Sequence, residues 1–179
     1  MMMRRTILIA ALSLAGLASG AWAQTRHDTN APIDFAAQHI ELQDKANRAI
    51  LSGDVSIKQA EMTLNAARMT VHYTGKIVGG SPQVSKLDAS GNVVIRRPDQ
   101  TARSQYAVYD LNSRVVTLLG NVTLNQGGNV VNGGRVNINL DTGRATIDGS
   151  GVGSSRDTPG NVTRSNGRVT GRFSVPDRK

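Results

Sequence analysis

The stretch from Val115 to Arg144, VVTLLGNVTLNQGGNVVNGGRVNINLDTGR, alternates branched apolar residues with small polar ones almost without a break. Apolar residues at every second position mark a strand with one face turned inward, because successive side chains of a strand point to opposite sides. The alternation survives a glycine: Val116, Leu118, Val122 and Leu124 keep one parity across Gly120 and Asn121. A glycine followed by Asp or Asn inside such a run therefore reads as a bend or bulge, not as a two-residue hairpin turn. The chain is expected to turn a corner there without exchanging its inner and outer faces.

The same signature recurs. LSGDVSI (Leu51 to Ile57), ASGNVVI (Ala89 to Ile95) and LLGNVTL (Leu118 to Leu124) are three copies, and IDGSGVG (Ile147 to Gly153) is a weaker fourth. Their glycines stand at 53, 91, 120 and 149, at intervals of 38, 29 and 29 residues. Each of the first three copies leads to a second alternating segment, MTVHY, YAVYD or VNINL, and then to a turn at Thr74–Lys76, Asn112–Arg114 or Asp141–Gly143. A period near 30 residues is the mark of stacked supersecondary units. Ala31 to Ile50 adds a leading strand and a hairpin around Asp44–Asn47, and VGGSPQ (Val78 to Gln83) reads as a loop. With one apolar and one polar face, the sheet must close on itself or pack on a second sheet. The residues predict an all-β fold, a rolled antiparallel sheet or sandwich with corners, and a β-solenoid is the alternative.

The ends of the chain differ from this pattern. Arg4 and Arg5, an apolar run from Thr6 to Ala18, and Ala21-Trp22-Ala23 together predict a cleaved secretory signal over residues 1–23. Residues 24–155 are then the β domain, and 156–179, rich in arginine, a flexible basic tail with one added strand around Arg168 to Val175. Losing Arg4 and Arg5 takes 21 basic residues to 19, against 13 acidic ones, for a net charge of +6. The chain has no cysteine, and export without disulfides suits a bacterial periplasm. Beyond the signal the aromatics are Phe35, Tyr73, Tyr106, Tyr109 and Phe173, so the interior must be built from aliphatic residues.

Catalytic chemistry finds little to stand on. His27, His39 and His72 lack metal-ligand spacing, and the carboxylates Asp54, Asp88 and Asp141 are scattered on turns. There is no nucleophile elbow and no phosphate-binding loop, since GSGVG (Gly149 to Gly153) has no helix after it. The basic excess lacks the aromatic platforms that single-stranded nucleic acid needs. An enzyme, a cofactor and a nucleic-acid partner are all disfavoured.

Taken in order, PIDFAAQHIEL, AILSGDVSIKQAEMTLNAARMTVHY, ASGNVVI, YDLNSRVVTLLGNVTL and GGRVNINLDTGRATI resemble the LptA/OstA-like family of lipopolysaccharide-transport proteins, over Pro32 to Asp148. The resemblance implies a slightly twisted antiparallel β-jellyroll with an open apolar groove, located in the periplasm. It further implies that such domains stack end to end, between LptC-like inner-membrane and LptD-like outer-membrane partners, and carry lipopolysaccharide or a related anionic glycolipid. The groove is then expected to be lined by Leu51, Val55, Ile57, Leu64, Met69, Val71, Val93, Ile95, Tyr106, Val108, Leu118, Val122, Leu124, Val136 and Ile138. Arg68, Arg96, Arg97, Arg103 and Arg135 are the expected phosphate contacts at its mouth. The competing reading keeps the same inward residues as the packed core of a structural β-solenoid or adhesin-type protein.

Overall fold

The computed structural model describes residues 27–76, 79–149 and 168–173. The strands are β1 (Ile33–Ala36), β2 (His39–Gln43), β3 (Arg48–Gln59), β4 (Met62–Thr74), β5 (Gln83–Arg97), β6 (Gln100–Asp110), β7 (Val115–Gln126), β8 (Asn129–Asn139), β9 (Ala145–Asp148) and β10 (Thr170–Arg172). A 3-10 turn, Asp44–Ala46, joins β2 to β3, and Asn47 closes it in the left-handed conformation. The predicted signal, the GSGVG run after Gly149 and most of the basic tail lie outside the described residues. Within the tail, β10 is the added strand expected near Arg168.

Every strand pair is antiparallel, and neighbours follow in chain order from β3 to β8. That meander excludes the stacked parallel strands of a solenoid. The long strands bend where the sequence repeats. Gly53 and Asp54 (φ +77° and +45°), Gly91 and Asn92 (+79° and +50°), and Gly120 and Asn121 (+79° and +48°) are successive left-handed pairs. Glycine, and next to it Asp or Asn, reach that region at least steric cost. Gly91 has a second reason to lack a side chain, since a Cβ there would lie 2.9 Å from the Ala67 methyl.

These bends fold the sheet along one line into two leaves. The first leaf contains β1, residues 55–59 of β3, 62–66 of β4, 93–97 of β5, 100–104 of β6, 122–126 of β7, 129–133 of β8, and β10. The second contains β2, the other halves of β3 to β8, and β9. Because β3 is bent, its outer edge is covered twice, by β1 on one leaf and β2 on the other; β8 is covered likewise by β10 and β9. The leaves face each other over one aliphatic core. They are joined along the corner and meet again, without covalent connection, at a seam opposite it.

Candidate functional site

Of the inward row anticipated from the sequence, Leu51, Val55, Ile57, Leu64, Met69, Val71, Val93, Ile95, Leu118, Val122, Leu124, Val136 and Ile138 are buried between the leaves. Tyr106 and Val108 are not. Tyr106 is 54% exposed on the outer face, and Val108 lies beside it, half-buried. The cause is in the pairing at each corner. Gly53 and Asp54 stand opposite the single residue Ala67, Gly91 and Asn92 opposite Gln105, and Gly120 and Asn121 opposite Gly134. Two extra residues preserve a strand's parity; one reverses it. On β6 the inward positions therefore run Ala102, Ser104, then Ala107 and Tyr109, which alternation within that strand could not reveal.

The interior changes character at its two ends. Phe35 pairs with Ile57, Ile40 with Leu51 and Leu42 with Ala49, so all three share the inward parity, yet they are 57%, 41% and 59% exposed. At the far end Phe173 and Val169 share the parity of Gly171, which pairs with the inward Val131, and both are exposed. Ile147, paired with Val136, is partly uncovered. The apolar row thus runs the full width of the sheet and, among the described residues, stops without a cap at either end. At one position on the seam the side chains close on one another. Between Met62, Ile95, Ala102, Val116, Ile138 and Leu140, with Arg97 and Gln100 at the rim, the remaining gap is about 10 Å³, room for one water. At this position the described residues show no open groove between the leaves.

The arginines do not gather at this seam. Arg96 and Arg103 lie on the outer face of the first leaf, opposite Thr63 and Val94, and Arg68 and Arg135 lie on the outer face of the second. Only Arg97 shares the inward parity of Ile95 and stands at the rim. The pair His72–Asp88 (2.7 Å), with Lys86 at 3.1 Å from the same carboxylate, is also on an outer face. Among the described residues no three His, Cys, Asp or Glu side chains are grouped as metal ligands.

Sequence reasoning missed the polar element of the interior. Gln59 continues the inward row of Val55 and Ile57 on the first leaf and is 2% exposed. Tyr109, on the second leaf, donates its hydroxyl to Gln59 Oε1 across the interior at 2.9 Å. Burial raises the Tyr109 pKa to about 12, so it keeps the proton it donates. Gln59 Nε2 in turn donates to the carbonyls of Thr29 and Ala31, at 3.0 and 3.1 Å, and His27 Nε2 lies 3.3 Å from Gln59 Oε1. Residues 27–31 thereby form a strap along the seam, reaching the second leaf where Arg114 Nη2 donates to Asn30 Oδ1 at 3.4 Å. The signal available in the sequence was Gln59's own parity, a polar residue in an apolar register.

Comparison with known proteins brings three likenesses. Residues 35–144 match the family described as LptA/(LptD N-terminal domain) LPS transport protein. An uncharacterized protein of Rhizobium meliloti (strain 1021) is 30% identical over 148 residues, 80% of each chain. The crystal structure of LptH, the LptA-homologous periplasmic component of the lipopolysaccharide transport device of Pseudomonas aeruginosa, superposes with a TM-score of 0.67. That match is 21% identical and covers 83% of this chain and 99% of that one; it bears on the fold alone.

Proposed function

The chain belongs to the LptA/(LptD N-terminal domain) family of LPS transport proteins, and from that membership we propose that it is a periplasmic bridge that shields the acyl chains of lipopolysaccharide, or a related anionic glycolipid, between its two leaves. The observation that carries the proposal is the apolar row that crosses the whole sheet and, among the described residues, is left uncovered at Phe35, Ile40 and Leu42 on one side and at Val169 and Phe173 on the other. A packed core serving stability alone gains nothing from uncapped ends; a conduit requires them. Each methylene withdrawn from water contributes about 0.8 kcal/mol, so an acyl chain of about 14 carbons costs roughly 10 kcal/mol to expose, and an aqueous compartment is crossed only against an apolar lining.

Loading proceeds by separation of the leaves at the seam, because the corner is covalent and the seam is not. Arg97 at the rim is the side chain placed to meet a phosphate. End-to-end stacking, with a second copy or with LptC-like and LptD-like partners, covers the exposed ends and extends the lining from one domain to the next. Among the described residues β1, β2, β9 and β10 are edge strands, which supply the backbone groups for such a contact.

The test places a photoreactive residue at Val122, buried in the interior, or at Thr123, whose hydroxyl bonds Asn132 on the outer face. After exposure to purified lipopolysaccharide, adducts are expected at 122 and not at 123. Adducts at neither position in a folded protein make the interior a permanent core and end the proposal.

A further inference from the structure

Gln59 and the strap are not explained by an apolar conduit. Two polar side chains are buried among the described residues, Gln59 and Ser104. Ser104 spends its hydroxyl locally, on the Tyr106 carbonyl at 2.9 Å. Gln59 makes only distant contacts, to Thr29, Ala31, His27 and Tyr109. Its orientation is fixed: Tyr109 and His27 hold the oxygen, so both N–H groups point to the seam. There they meet two carbonyl oxygens of a segment that pairs with no strand before Ile33. Peptide carbonyls are chemically close to the ester and amide carbonyls that stand at the head of each acyl chain. A chain whose carbonyl sat on Gln59 Nε2 would run inward past Ile57 and Val55, along the apolar row. Its head group would lie at the rim, where Arg97 stands with Gln100.

We propose that Gln59 is the residue that binds the acyl carbonyls of the ligand, and that His27–Ala31 is an internal stand-in occupying that seat until the ligand displaces it. The proposal rests on the reading that acyl chains enter between the leaves, and it adds where they are held and what they displace. The strap suits exchange. Its bond to the second leaf, from Arg114 to Asn30, is long at 3.4 Å, and Asp28 and Asn30 are exposed. The two bonds from Gln59 are its buried anchor, and those are the bonds a ligand can replace one for one.

The experiment ties the strap down. The chain has no cysteine, so Asn30→Cys with Arg114→Cys creates a unique pair, bridged by a short, reducible bis-thiosulfonate. Uptake of fluorescent lipopolysaccharide is measured before and after reduction. A tenfold or greater loss in the bridged protein, restored by reduction, is the expected result. Equal uptake by bridged and reduced protein overturns the stand-in role while leaving the conduit intact; no uptake by the unmodified chain ends both. Gln59→Met gives an independent reading of opposite sign. If Gln59 were only a latch, its loss would free the strap and raise uptake. A carbonyl-binding Gln59 predicts a tenfold fall, in a variant whose circular dichroism is unchanged.

Discussion

His27 is held by Gln59 in a partly buried position, and burial is the main reason its pKa lies below 6.5; Arg97 pushes the same way, while Gln59, Asp28 and Glu61 oppose it. A depressed histidine pKa means the docked strap prefers the neutral ring. Docking is therefore fully favourable above pH 6.5 and weakens as the pH falls from there toward the depressed value. Relative to the intrinsic base-catalysed rate, hydrogen-exchange protection of residues 27–31 is expected to be lower at pH 5.5 than at 7.5, and His27→Gln to remove most of that difference. Tyr109→Phe tests the other side of the same amide. It deletes one hydrogen bond and leaves Gln59 Oε1 with His27, so a loss of about 1 kcal/mol in urea unfolding is expected. Gly91→Ala should cost more than Gly127→Ala. Both adopt positive φ, worth about 1–2 kcal/mol against a side chain, but only at Gly91 does the new methyl meet Ala67. Adding Ala67→Gly to Gly91→Ala should recover the difference between the two variants.

At the level of the strands, legibility followed parity. In β3, β5 and β7 the Gly-Asx pair adds two residues, so Leu51 and Val55, Ala89 and Val93, and Leu118 and Val122 keep one face, and alternation alone identified all of these but Ala89. In β4, β6 and β8 a single residue crosses the corner, and the face reverses between Ala66 and Met69, between Ser104 and Ala107, and between Gly133 and Val136. That reversal is a property of the pairing, and no periodicity within a single strand carries it. On β6, where alternation put Tyr106 and Val108 inward, the error followed; on β8 the anticipated Val136 and Ile138 lie on one side of the corner, and on β4 Leu64 lies on one side with Met69 and Val71 on the other. The seam was illegible for a related reason. Alternation says which side chains face inward, but not whether the leaves stand apart or touch, and in this conformation they touch. Arginine positions were equally beyond reach, because inner and outer rims look alike until the bend is known.

For the molecule as a whole, the uncovered ends predict concentration-dependent growth. Phe35→Asp with Leu42→Asp places charges in the apolar register at the leading end. Light scattering should then show a protein that stays monomeric where the unmodified chain elongates, with its unfolding midpoint little changed, since both residues are already largely exposed. The two-against-one corner also limits how such a molecule can vary in length. One added strand would leave a Gly-Asx bend with no single-residue partner and turn every later side chain inside out. A pair of strands restores the phase. The domain is therefore a ruler graduated in hairpins, each worth about 10 Å across the sheet at the usual strand separation. Duplicating residues 83–114, one such pair with its closing turn, should give a folded protein longer by that single increment in small-angle scattering, whereas duplicating 83–99 alone should not fold.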